Sequence, residues 1–192
     1  MSGEDRRKQI VDKAIDVILE KGLAQAATRD VTRALGVGSG LLHHYFPSWA
    51  DLRAEAVRLA ATREIEAVKA LVDGVPALEA LERIADWVVE DEDMRHWRLW
   101  LNAQDEAHRD ALLAEVMTAA MLDWHRLIAG LLAKGAEESG ATTSDADDAA
   151  LRLAALMDGL AGTMLVKGSA MTAGTARMLL KQQLSLECGQ QA

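Results

Sequence analysis

Apolar residues recur along this chain at the spacing of a helical face. Ile10, Val11, Ala14, Ile15, Ile18 and Leu19 form the first such stripe, which predicts a helix over residues 4–21 that Gly22 stops. Thr28 is the expected N-cap of a short second helix ending at Gly36, and a third covers residues 39–46 before Pro47 closes it. A long fourth helix is predicted over residues 48–72, and Pro76 suits the first position of a fifth that reaches Val89. Charges from Glu90 to Asp93 interrupt the pattern before a sixth helix over residues 94–102. One sustained periodicity predicts a seventh over residues 106–138, followed by a loop over residues 140–143. Ser144 is expected to cap an eighth helix reaching Lys167, and Thr172 a ninth ending near Glu187.

Composition agrees with that pattern. Helix formers are plentiful, there are only 2 prolines, and aromatic residues make up 4% of the chain, so the fold class is all-α with about nine helices. The single cysteine, Cys188, excludes a disulfide framework and fits a reducing cytoplasm. No apolar h-region follows the charged N-terminus, and no uninterrupted apolar run reaches membrane-spanning length. A cytoplasmic protein with no membrane partner is expected.

Charge is unevenly spread. The formal net charge is −9, yet residues 1–50 hold seven Lys/Arg against six Asp/Glu, while the remainder holds 14 against 24. Phosphate would repel the acidic body and leave the N-terminal end as the face open to DNA.

The second and third helices meet the demands of a helix-turn-helix. Gly36 supplies the turn, Val31 and Leu35 precede it on the inward side, and Val37, Leu42 and Tyr45 follow it in register. An ordinary helical corner has the same turn. The exposed side of the third helix separates the two readings: Ser39, Gly40, Leu41, His43 and His44 can meet base edges, and no acidic residue lies between Val31 and Asp51.

The run Gly36-Val37-Gly38-Ser39-Gly40-Leu41-Leu42-His43-His44-Tyr45-Phe46-Pro47, inside the segment 28–52, resembles the tetracycline-repressor (TetR) family. The helical layout resembles that family throughout, with a closer similarity to its betaine/choline-type branch around Leu156-Met157-Asp158-Gly159-Leu160. The resemblance implies a DNA-binding domain over residues 1–47 and a helical ligand-binding and dimerisation domain over residues 48–192. It implies a homodimeric repressor that occupies a double-stranded DNA operator until a small-molecule inducer binds. Thr28 and Tyr45 would hydrogen-bond phosphates beside the charge of Arg29, while Gly38 to Leu41, His43 and His44 lie at the base-reading surface. Arg6, Arg7 and Lys8 would steer an N-terminal arm along the backbone. Three positions depart from the family pattern. Gly38 stands where Ser or Thr usually caps the recognition helix, Trp49 where a phosphate-contacting lysine is common, and Thr32 where Ala is usual. A modest operator affinity and a slightly shifted helix crossing are expected.

Further along, Trp87, Trp97, Trp100 and Trp124 cluster with Met94, Met117, Met121, Met157 and Met164 on the same or facing helices. Trp97 and Trp100 are expected on one face of the sixth helix, and Met117, Met121 and Trp124 on one face of the seventh. Such residues are core residues taken singly and suit an apolar ligand cavity taken together. Asp158, inside an apolar run, needs a partner: an internal Arg98 or His125, or a cationic or hydroxyl-bearing ligand among indole faces. Small residues on the last two helices, Ala154, Ala155, Gly159, Ala161 and Gly162, then Ala173 and Ala176, predict close approach to a second copy.

The five histidines show no metal-ligand spacing, and neither a phosphate loop nor a nucleophile motif is present. The expectation is a non-enzyme with no cofactor, metal site or catalytic residue. The rival reading is a helical ligand-binding or scaffold protein without DNA binding.

Overall fold

The computed structural model describes residues 2–90, 94–140 and 145–188, and every regular element among them is helical. The elements are α1 (Gly3–Lys21), α2 (Thr28–Leu35), α3 (Ser39–Tyr45), α4 (Trp49–Val72), α5 (Ala77–Glu90), α6 (Arg95–Ala107), α7 (Ala111–Ser139), α8 (Ala146–Leu165) and α9 (Ala173–Glu187). They pack as two compact units, Met1–Glu64 with Arg95–Ala120 and Ile65–Met94 with Met121–Ala192. The boundary falls inside α4 and inside α7.

In the first unit α1 begins abruptly. Ser2 Oγ accepts from the Asp5 N–H at 3.0 Å while Asp5 accepts from the Ser2 N–H at 2.8 Å, a reciprocal cap. The buried stripe of α1, Ile10, Ala14, Ile15 and Ile18, joins Val31, Leu42, Phe46, Leu52, Ala103, Leu113 and Met117 in one core. Arg53 of α4 reaches Glu106 at 3.5 Å and is hydrogen-bonded to Asp110, tying α4 to the turn between α6 and α7.

In the second unit α5, α8 and α9 pack on one another. Their buried faces carry Leu81, Ile84 and Val88, then Leu153, Met157 and Leu160, then Ala176, Leu180 and Leu184. Asp86 holds Arg177 at 2.9 Å and Lys181 at 3.2 Å, and Arg152 grips Glu187 through two nitrogens at 2.8 and 2.6 Å. The Glu138 carboxylate accepts from the Ala77 N–H at 2.9 Å, satisfying the first turn of α5 from the end of α7.

Several boundaries move. The sixth helix continues to Ala107, and the expected seventh is broken over residues 108–110. Asp110 causes the break, accepting from the Leu112 and Leu113 N–H groups at 2.9 and 3.2 Å as the cap of α7. Ala27, not Thr28, is the N-cap of α2. The start of α5 shifts from Pro76 to Ala77. Thr172 caps α9 as expected, accepting from Thr175 at 3.1 Å. The expected Ser144 cap, the break at residues 91–93 and most of the loop at residues 140–143 lie outside the described residues; Asp145 caps α8. Among the described residues only α7 is long and apolar enough to cross a membrane by length and composition, although the sequence has no uninterrupted apolar run of that length. It carries Glu115, Asp123, Arg126 and Lys134 along its 29 residues.

Candidate DNA-binding and effector-binding regions

The turn between α2 and α3 is built on Gly36, whose φ of 67° is a left-handed conformation that a side chain would strain. The Val37 N–H then donates back to the Thr32 carbonyl at 3.0 Å, fixing the exit of the chain. Val31 and Leu42 are buried, with Leu35, Val37 and Tyr45 packed against the same core. Thr32 is accommodated because its hydroxyl donates to the Arg29 carbonyl at 3.0 Å, so the buried side chain leaves no orphaned donor. Trp49 is half-buried against the core.

What remains outside is the surface anticipated for DNA. Arg29, Gly38, Ser39, Gly40, His43 and His44 are exposed, and Thr28, Leu41 and Tyr45 are half-buried. The His44 and Tyr45 rings meet edge to face at 5.1 Å. Gly38 adopts the extended conformation of an N-cap without a side-chain acceptor. Placing the α2 cap at Ala27 leaves the Thr28 hydroxyl outside the capping arrangement. Arg33, one turn beyond Arg29, is largely exposed; its i, i+4 relation to Arg29 was the signal for it. Ser2 caps α1, so Arg6, Arg7 and Lys8 are helical as the first stripe predicts, and Arg7 lies 4.9 Å over the Phe46 ring and 2.9 Å from Glu55.

Asp30, which drew no attention in the sequence, is the carboxylate of α2, and the fold withdraws it from this surface. It is buried, accepts from Lys21 at 2.6 Å and closes the α2 cap by accepting from the Ala27 N–H at 3.1 Å. The hydrogen bond from Lys21 holds its carboxyl below the usual range. A depressed folded value adds stability above the unfolded value near ~3.9 that is lost as pH falls through the folded one. Asp30→Asn is therefore expected to flatten the acid limb of a stability-versus-pH curve from urea unfolding. An unchanged acid limb would remove Asp30 from this role.

The anticipated effector residues divide between the units. In the first, Trp97 and Met117 are buried and Trp100 is half-buried. Trp100 and Met117 line a cavity of about 10 Å³ with Val57, Ala61, His96 and Leu99, room for one water at most. In the second, the Trp87 and Trp124 rings stack at 5.6 Å with a 33° tilt, Met157 is buried and Met164 is half-buried. Met121 departs from its expected company: Met117 is inside and Met121 is 48% exposed, although both were expected on one face. Asp158 is partly exposed, unlike the buried carboxylate expected from its apolar surroundings. His96, Leu99, Val57 and Ala61 were not anticipated; His96 sits one turn before Trp100. No group of three His, Cys, Asp or Glu able to hold a metal occurs among the described residues.

A third surface lies on α8 and α9. Leu151, Ala155 and Gly159 are exposed at steps of four along α8, with Val166 beyond them, and Met178 and Leu186 are exposed on α9. Leu186 is 72% and Leu151 56% exposed, so large apolar side chains face outward on both helices.

A helix-turn-helix with an acid-free recognition surface, joined to an all-helical body, defines a DNA-binding transcription regulator. Residues 10–56 match the profile of bacterial regulatory proteins of the tetR family, and residues 77–189 that of the BetI-type transcriptional repressor C-terminal region. The chain belongs to the TetR family and carries the BetI-type C-terminal domain. It is similar to the HTH-type transcriptional regulator PksA of Bacillus subtilis, 31% identical over 82% of this chain and 78% of that protein. The HTH-type transcriptional regulator BetI of Serratia proteamaculans is 26% identical over 95% of this chain and 92% of its own. The fold is shared with a transcriptional regulator from Saccharomonospora viridis crystallised in complex with choline, at a TM-score of 0.83, 24% identity, and coverage of 93% of this chain and 95% of that one.

Proposed function

We propose that this regulator is a cytoplasmic repressor that binds an inverted-repeat operator as a homodimer and is released by a small molecule. The observation that carries the reading is the exposed, acid-free surface of α2 and α3. There Thr28 and Tyr45 hydrogen-bond phosphates, and Arg29 with Arg33 adds charge. Ser39, Leu41, His43 and His44 meet base edges, while Gly38 and Gly40 keep that surface low. Function divides near residue 47: the preceding residues read DNA, and residues 48–192 sense and dimerise. The uncovered apolar face of α8 and α9 supports a two-copy interface. The stacked Trp87 and Trp124 rings and the carboxylate of Asp158, all in the second unit, support a cationic effector, as does the choline held by the S. viridis regulator. Trp100 and Met117, around a cavity that holds at most one water, and the buried Trp97 would contribute only after their helices part.

Gel shift and footprinting on the chain's own promoter test the reading. Tyr45→Phe is expected to weaken binding by about 1 kcal/mol on every sequence, whereas His43→Ala and His44→Ala change the preferred sequence. Unaltered selectivity in both histidine variants would misplace α3. For the effector, choline should shift the tryptophan fluorescence and weaken operator binding reciprocally, and Asp158→Asn should reduce its affinity more than that of a neutral analogue.

A further inference from the structure

Arg7 joins three helices of the first unit at one point. Its guanidinium lies over the ring of Phe46, the extended residue that closes α3, and its Nη1 donates to Glu55 Oε1 of α4 at 2.9 Å. Arg58 donates to the other Glu55 oxygen at 2.6 Å, so the carboxylate is held from both sides and gives Arg7 a fixed anchor. The hydrogen bond from Arg7 is the largest of the effects that hold the Glu55 carboxyl below its usual range. Beneath the guanidinium the Phe46 ring is buried, and the Phe46 N–H donates to the Leu42 carbonyl at 2.8 Å to end the helix. Three residues, Phe46, Pro47 and Ser48, separate α3 from α4. A second ion pair, Arg63 to Asp12 at 2.5 Å, also ties α1 to α4, but it stands further along both helices, away from that connection.

We infer that Arg7 is a positioning residue for DNA reading, which sets the pose of α3 through Phe46 and contacts no base itself. The inference rests on α3 being the recognition helix. Inside α3 Leu42 is the one buried side chain, so a hold on the exit of the helix supplies the second point that fixes its direction. A helix of seven residues is about 10 Å long, and a tilt of about 10° moves its far end by about 2 Å, more than a hydrogen bond to a base edge tolerates. The planar guanidinium covers the ring with its face while donating to Glu55 from its edge, two contacts that an ammonium group cannot make equally well.

Full-length Arg7→Met, which keeps an unbranched stem over the ring and removes the donor and the charge, is compared with Arg7→Lys and with Asp12→Asn, which cuts the other α1–α4 pair. Hydrogen exchange of the Phe46 amide is followed in the free protein. Affinity for the operator fragment and for an unrelated duplex is measured over a series of salt concentrations. Arg7→Met is expected to speed exchange at Phe46 and to weaken operator binding, each by about fivefold or more. Affinity for the unrelated duplex should change less than about twofold, and the slope of log affinity against log salt should stay as in the parent. Arg7→Lys should recover part of the loss, and Asp12→Asn should leave both Phe46 exchange and operator preference intact. Equal loss on both duplexes with a shallower salt slope would make Arg7 a phosphate contact and overturn the inference. Unchanged exchange at Phe46, faster exchange without loss of operator preference, or the same loss from Asp12→Asn would overturn it as well. The exchange measurement needs no DNA, whereas the His43 and His44 variants test the reading of α3, so the two can fail separately.

Discussion

A carboxylate at position 159 is expected to convert the protein into a monomer that no longer holds its operator. Gly159 is exposed on α8 in line with Leu151 and Ala155, and a Cβ built there meets nothing within 4 Å in its own chain. Within one copy Gly159→Glu is therefore harmless, and it raises helix propensity by up to about 1 kcal/mol. Across a two-copy interface the same carboxylate is buried without a partner, and symmetry brings two of them, so the cost reaches several kcal/mol. Sedimentation should then find a species near 20.8 kDa. Operator affinity should fall by about 10³, because a single helix-turn-helix reads only one half-site. An undiminished dimer would place the interface on another face. A monomer that still binds its operator tightly would remove the need for two copies.

Replacing Arg53 with Met should be the most destabilising surface-accessible change in the first unit. The Arg53 side chain is 15% exposed, and the carboxylates it joins, Glu106 and Asp110, are 20% and 12% exposed. Removing the cation leaves two neighbouring, poorly solvated carboxylates without it. That loss costs about 2 kcal/mol, between the ranges for exposed and for fully buried pairs because water still reaches the group. Burial raises the pKa of Asp110, but the hydrogen bond from Arg53 and those from the Leu113 and Leu112 N–H groups outweigh it and hold the carboxyl below its usual range. A depressed folded value means stability that is present above the unfolded value near ~3.9 and is lost as pH falls through the folded one. The deficit of Arg53→Met relative to the parent should accordingly be full at neutral pH and shrink in acid as the Asp110 carboxyl protonates. Urea unfolding at several pH values reads this directly, and a deficit that stays constant into acid would mean that packing of the arginine stem, not its charge, had been lost.

The helix-turn-helix was legible because its constraints are local. A left-handed turn selects Gly36, and the apolar positions around it follow from the crossing of two short helices. The cap at Thr172 was legible for the same reason. The break at residues 108–110 was not, since Glu106, Ala107 and Arg109 are all good helix formers and Asp110 acts as a cap only once its carboxylate turns back to the next N–H groups. The α2 cap was misplaced by one residue because the capping acceptor is Asp30, three positions downstream, and not the hydroxyl of Thr28. In the effector region, spacing on one helix did not foretell which residues are buried. Met117 and Met121 lie on successive turns of a 29-residue helix that passes from one packing unit into the other, so their neighbours differ. Asp158 was misjudged for a related reason: a one-dimensional apolar run does not say which side of α8 is covered.

The recognition helix is anchored to the body by few residues. Within α3 only Leu42 is fully buried, while Ser39, Gly40, His43 and His44 are exposed, and glycines 38 and 40 have open space where a side chain would stand. Replacements at such positions cost folding little, typically within about 0.5 kcal/mol. If those exposed positions read DNA as proposed, stability and operator choice are written on separate letters of the same seven-residue helix. Evolution can rewrite the address this regulator reads while the fold that carries it stays unaltered, and a designer can shuffle those exposed positions as a library without first stabilising the scaffold.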